Sequence, residues 1–241
     1  MTRLVAFGCS NTFGQALPDV WDHENKKHTW LMEGPLTPSK YAWPQFVANK
    51  LNRECSNYGV PAASAKEIWY RIINTNFIKT DIVTILWPMS ARFCLLKKEE
   101  NSDDDIKCVS DIGNNEKVFR IGHWDWLLKN KIVNTYYKFI YDRHDYAIDT
   151  YMRINYIDMF LKDKVNITIH HTTSTLFDRS LYNTEKESGL KFKWHTAKIS
   201  DPIFEKTISN HKKALDNSHP GKEAHKAFAI VIYNEIKNNL C

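Results

Sequence analysis

Leu4-Val5-Ala6-Phe7-Gly8-Cys9-Ser10-Asn11-Thr12-Phe13-Gly14 is an apolar run that stops at a glycine and passes into small polar residues. Apolar side chains in succession, without alternation, suit a strand covered on both faces, as at the centre of a parallel sheet. Gly8 and Gly14 punctuate the exit from that strand. Outward from this stretch, similar runs occupy Asp81–Trp87 and Val165–His170, with a weaker one at Glu54–Tyr58. Helical spacing fills Tyr41–Asn52, Ser64–Phe77, a long stretch from Trp124 to Lys162 that holds one helix or two, and Lys222–Asn238. Strands alternating with helices predict an α/β fold built on a parallel sheet.

In such sheets ligands bind beyond the carboxyl ends of the strands. Ser10 follows the first strand, Gly59 the second and Pro88–Arg92 the third, so all three are placed on one edge. Three stretches fit the alternation poorly: 18–40, 95–122 and 176–199. They read as insertions in a single domain spanning residues 1–241, the middle one with a hairpin around Gly113-Asn114-Asn115. Insertions over that edge are where substrate specificity usually resides, and surface decoration is the plainer alternative. Tyr136, Tyr137, Ile140 and Tyr141 are spaced as a core stripe.

The chain has 241 residues, with 43% hydrophobic and 25% charged residues, as in ordinary globular proteins. Its net charge of +5 comes from intermixed signs, with no arginine-rich stripe, so nucleic acid is not expected as a partner. The cysteines Cys9, Cys55, Cys94, Cys108 and Cys241 are odd in number and lack C-x-x-C spacing, which favours reduced thiols. No apolar run approaches the roughly 18 residues of a membrane span. A strand beginning almost at Met1 leaves no room for a signal peptide, so the expected compartment is the cytoplasm. Eight tryptophans exceed ordinary need. Large rings pack in cores or form sugar-stacking platforms, and Trp30, Trp87 and Arg92 are the candidates for substrate contact.

Near the other end stands Asp216-Asn217-Ser218-His219-Pro220-Gly221, opening an apolar-striped helix. A hydroxyl is a poor nucleophile at neutral pH unless an imidazole takes its proton, and that imidazole needs an acceptor to fix its tautomer. Ser10, His219 and Asp216 supply the three roles. Each also has a plainer reading: Ser10 and Asp216 as helix caps, Gly59 as a turn residue.

In Gly8-Cys9-Ser10, Asn57-Tyr58-Gly59-Val60-Pro61-Ala62-Ala63-Ser64 and Asp216-Asn217-Ser218-His219-Pro220, the sequence resembles the SGNH, or GDSL-type, hydrolases. The resemblance implies a three-layer α/β/α sandwich with a flavodoxin-like parallel sheet. It also implies an esterase or deacylase with a Ser10–His219–Asp216 triad and an oxyanion held by the amides of Ser10 and Gly59. The family's first block has Asp where Cys9 stands. Its third block, Gly-x-Asn-Asp, is replaced here by Leu86-Trp87-Pro88-Met89-Ser90-Ala91-Arg92-Phe93, as in a divergent branch resembling phage-encoded members. The missing asparagine leaves Ser90, Arg92 and Asn11 as candidates for a third oxyanion donor.

The expected substrate is a small-molecule or carbohydrate ester, O-acetyl groups included, with no metal and no cofactor. An acyltransferase with the same triad, or a catalytically inactive binding or virion-associated protein, are the alternatives. Cys9 reads as a small buried hydrophobe. His170, His171 and His195 lack metal-ligand spacing, and the adjacent pair reads as one inward and one outward side chain. The sequon Asn166-Ile167-Thr168 lies in an expected buried strand.

Overall fold

The structure is a computed structural model that describes residues 2–28, 37–88, 92–98, 109–111, 116–121, 131–173, 199–200 and 203–240. Its central sheet has five parallel strands: β1 (Arg3–Gly8), β2 (Glu54–Gly59), β3 (Ile82–Trp87), β4 (Ile167–Thr172) and the two-residue β5 (Ile199–Ser200). Their spatial order is β5-β4-β3-β1-β2, the flavodoxin-like order. Gly8 is in register with Gly59 on one side and Leu86 on the other, and Trp87 with Thr172, so the carboxyl ends are level.

Helices cover both faces: α2 (Trp43–Leu51), α3 (Ala65–Ile73), α5 (Arg143–Leu161), α6 (Ile203–Ile208) and α7 (Lys222–Leu240), while the four-residue α1 (Ser10–Phe13) follows β1 and α4 (Lys131–Phe139) precedes α5 in the chain. The period-2 geometry of β1 divides its apolar run between the layers. Val5 and Phe7, with Val83, Ile85 and Trp87, pack against Ile68 and Ile72 of α3 and Ile154 and Ile157 of α5. Leu4 and Ala6, with Ile82, Leu86 and Ile169, pack against Trp43 and Val47 of α2 and Phe228 and Ile232 of α7. Each large side chain so buried contributes about 1.5–3 kcal/mol. The result is the expected three-layer α/β/α sandwich.

The long stretch after Trp124 contains two helices, α4 and α5, broken at Ile140–Asp142. The supposed tyrosine core stripe is instead a half-buried aromatic cluster of Tyr136, Tyr137 and Tyr141 with Phe93, and Ile140 is exposed. The middle insertion forms an antiparallel sheet of Phe93–Lys98, Glu116–Ile121 and Val109–Asp111, in that order. The latter two strands flank the expected hairpin, whose Gly113–Asn115 turn lies outside the described residues. This small sheet is fastened to α3 by Glu67, which receives both Nε and Nη2 of Arg120 at 2.8 and 2.7 Å. The described part of the first insertion carries a 3-10 turn at Pro18–Val20 and a two-stranded pairing of Trp21–Asp22 with Lys27–His28. The third, apart from Ile199, lies outside the described residues.

Candidate active site

At the end of β1 the chain turns directly into α1. Gly8 is required there, because a Cβ would stand 2.0 Å from Thr12 Oγ1 and 2.8 Å from Thr12 Cβ. Cys9 occupies the N-cap in extended conformation and Ser10 is the first residue of the helix. Helical hydrogen bonding begins with Thr12 N–H to the Cys9 carbonyl at 2.9 Å, so the amides of Ser10 and Asn11 precede it. Gly14 closes the short helix in the left-handed region, φ 81°, with its N–H on the Ser10 carbonyl. Ser10 is buried, and its hydroxyl donates weakly to Cys9 Sγ at 4.0 Å. Cys9 itself lies in the core as a small apolar residue.

The second motif is a tight turn organised by one carboxylate. Asp216 Oδ1 accepts the amides of Ser218 and His219, both at 3.0 Å, while Oδ2 meets His219 Nδ1 at 2.5 Å. Burial alone would raise the Asp216 pKa, but these hydrogen bonds from the His219 ring and two amides outweigh it and hold the carboxyl well below the usual carboxylate range. An ionised Asp216 fixes the proton of His219 on Nδ1, which leaves Nε2 as the basic nitrogen. Asn217 takes a left-handed φ of 53° to close the turn.

Backbone hydrogen bonds bring the two motifs to one edge of the sheet. Leu215 N–H reaches the Ala16 carbonyl at 3.3 Å, just past α1, and Ser39 N–H reaches the Phe13 carbonyl at 2.9 Å. The serine turn, the approach to α2 and the histidine turn are thus joined.

Gly59 plays a different part from the one expected. Its amide donates to Asn57 Oδ1 at 2.9 Å, so it is not offered to an oxyanion in this structure. Asn57 Nδ2 in turn donates to the Thr12 carbonyl at 2.8 Å. A Cβ on Gly59 would lie 2.4 Å from Phe13 N and 2.7 Å from Thr12 C, so the glycine lets β2 approach α1. Gly59→Ala should therefore destabilise the protein by about 1–3 kcal/mol, read by denaturant titration. In the following turn Val60 N–H donates to the Gly8 carbonyl, and Ala62 takes a left-handed φ of 61°, a conformation an L-residue holds only where its surroundings enforce it.

Trp87 is a correction of another kind. It is fully buried in the core, with its indole N–H on His170 Nδ1 at 3.1 Å, and cannot touch substrate there. Asn11 is half-buried on α1. Arg92 is half-buried where the inserted sheet begins, its carbonyl accepting the Tyr146 hydroxyl. Ser90 and Trp30 lie outside the described residues. His170 and His171 are both buried, since helices cover both faces of the sheet: the former faces Asp158 and the latter meets Glu235 at 2.9 Å. Among the described residues no three His, Cys, Asp or Glu side chains are grouped to hold a metal, and no helix is long and apolar enough to cross a membrane.

One residue of the neighbourhood escaped the sequence reading. His225, on α7, is buried, and its Nδ1 accepts the Trp43 amide at 3.1 Å. Burial first, then the nearby His219, push its pKa down to about 3. The available signal was its place on the apolar stripe of Phe228, Ala229 and Ile232. Because the folded state resists protonating this ring, the unfolded chain binds the extra proton between pH 6.5 and about 3. Stability should fall as pH drops through that window, by up to about 1.4 kcal/mol per pH unit. His225→Asn should lose that part of the slope, compared by urea titration at several pH values.

No protein-family model matches this sequence, and neither does any curated protein. Solved structures do match. A carbohydrate esterase, whose active site is described as displaying divergent catalytic and non-catalytic binding functions, aligns at a TM-score of 0.52 and 8% identity, over 98% of this chain and 65% of that one. The likeness is one of fold. An acetyl xylan esterase from Butyrivibrio proteoclasticus aligns at 0.48 and 11% identity, over 99% of this chain and 64% of that one. A lipolytic protein of the G-D-S-L family from Veillonella parvula DSM 2008 aligns at 0.46 and 13% identity, over 95% of each chain.

Proposed function

We propose that this protein is a serine esterase that hydrolyses an acyl ester through Ser10, His219 and Asp216. The observation that carries the reading is the 2.5 Å contact between His219 and an ionised Asp216, on a turn hydrogen-bonded to the residues that follow Ser10. Ser10 Oγ bonds to the ester carbonyl carbon while its proton passes to His219 Nε2. The negative charge that develops on the carbonyl oxygen meets the amides of Ser10 and Asn11, which precede the first helical hydrogen bond of α1. The protonated His219 then gives its proton to the departing alcohol oxygen as the C–O bond breaks. Water, deprotonated by the same nitrogen, releases the acid and restores Ser10.

Carbohydrate O-acetyl esters head the substrate panel, because a carbohydrate esterase shares the fold at the highest TM-score among the structures above. Tryptophan stacking gives this choice no support at Trp43 and Trp87, which are buried.

The test is covalent labelling with a fluorophosphonate probe, followed by intact mass and peptide mapping. One adduct on Ser10, absent from Ser10→Ala and His219→Ala, is the expected result. Folded wild-type protein that takes no adduct and cleaves none of the panel would overturn the reading in favour of a binding or structural role.

A further inference from the structure

The helix α2 begins without a cap of its own: its N-cap residue is Ala42, which offers no side-chain acceptor. The first amide, Trp43 N–H, is instead taken by His225 Nδ1 from the second turn of α7, at 3.1 Å. Two helices of the same layer are thus joined by a buried polar contact within an apolar interface, beside the edge-on contact of Trp43 and Phe228. The segment before α2 is fixed to the nucleophile turn, through Ser39 N–H on Phe13 and through Gly14, whose Cβ position abuts Ala42 and Ser39 at 2.8 Å. The start of α7 is continuous with the histidine turn: His225 N–H bonds the Gly221 carbonyl, and the His225 ring lies against the carbonyl of Pro220. Ser10 and His219 are therefore connected by a closed path, one arm through Ala16 and Leu215 and the other through Trp43 and His225.

We infer that His225 is a positioning residue for His219, capping α2 from across the layer and so setting where α7 delivers the histidine turn relative to Ser10. The inference rests on the serine-esterase reading for its kinetic consequence, though not for its geometry. An acceptor at Nδ1 is what the Trp43 amide needs, and a neutral ring supplies it. A protonated ring would present N–H to N–H. Burial of the ring, with the His219 imidazole close by, keeps it in the neutral form. Displacing a general base by a fraction of an ångström to one ångström lowers turnover by about 10- to 100-fold with little change in substrate affinity.

The experiment compares wild type, His225→Leu and His225→Asn. Leucine keeps the volume and removes the acceptor, while asparagine restores an acceptor oxygen near the position of Nδ1. The expected kinetic result is a kcat lowered at least about tenfold in His225→Leu at unchanged KM, recovered to within about threefold in His225→Asn. The second readout needs no activity: the ring resonances of His219 in nitrogen-edited NMR should move in His225→Leu and return in His225→Asn. Equal kcat in all three proteins, or a leucine variant whose loss asparagine does not recover, would overturn the inference. Wild-type protein without esterase activity would refute the functional reading. His219 resonances that respond in the expected pattern would then still uphold the positioning role, and unmoved resonances would end it. Should His225→Leu not fold, His225→Asn against His225→Gln, whose longer chain misplaces the acceptor, supplies the same contrast.

Discussion

Ser10→Ala and His219→Ala should each lower ester hydrolysis by about 10⁴-fold or more, and the double variant should be no worse than either alone. Without Oγ there is no nucleophile. Without the imidazole Oγ keeps its proton, and an alcohol at neutral pH attacks an ester too slowly to register. The two losses remove the same step, which is why they do not add. Asp216→Asn should cost about 10³–10⁴-fold. The asparagine still closes the turn by accepting the Ser218 and His219 amides through its oxygen. Its NH2 group then faces Nδ1 and favours the proton on Nε2, the wrong tautomer for a base. Steady-state rates on one activated ester, with circular dichroism to verify folding, check all four proteins. A double variant far worse than either single one would mean that the two residues act in separate steps.

The parts of the fold legible in the sequence are those with local causes. The apolar run of β1 is continuous because both faces of the strand are covered, and Val5 and Phe7 do lie opposite Leu4 and Ala6. The serine turn and the Asp216–His219 turn are short motifs closed by their own hydrogen bonds, so residue order was enough to find them. Trp87 could have been placed correctly by parity, since it shares a face with Val83 and Ile85. Its position at the strand end made it a candidate for substrate contact instead. The role of Gly59 was hidden because its amide is taken by Asn57, two residues back on the same strand, a side-chain choice no spacing rule conveys. His225 and Trp43 are separated by 182 residues, and the cap between them exists only after the layer is assembled. The docking of the inserted sheet has the same origin, in a pair 53 residues apart.

That pair gives the largest expected effect on stability. Glu67 is wholly buried on the first turn of α3, where its own amide bonds the capping Ser64 hydroxyl at 3.3 Å. Its carboxylate receives Arg120 in bidentate fashion and Arg71 at 3.2 Å, so one anion answers two largely buried cations. Removing the anion alone, as in Glu67→Leu, leaves two guanidinium groups facing each other in a desolvated site, which should cost about 3–5 kcal/mol. At this chain length the melting temperature should drop by about 6–20 °C. Glu67→Leu with Arg120→Met should recover part of that loss, because packed apolar side chains replace a buried ion pair at little net cost. Hydrogen exchange separates two forms of the loss. If Glu67 serves mainly to clamp the insertion, amides of 93–98 and 116–121 lose protection in Glu67→Leu while those of β1 and β3 keep theirs. Uniform loss would make the inserted sheet one cooperative unit with the core. The first result is the one expected, because the two hydrogen bonds from Arg120 to the buried Glu67 tie the inserted sheet directly to α3. The clamp holds at the end of α3 that follows directly from the Val60–Ser64 turn, on the same edge as Ser10. Releasing it should therefore loosen that edge of the molecule before it disturbs the rest of the fold.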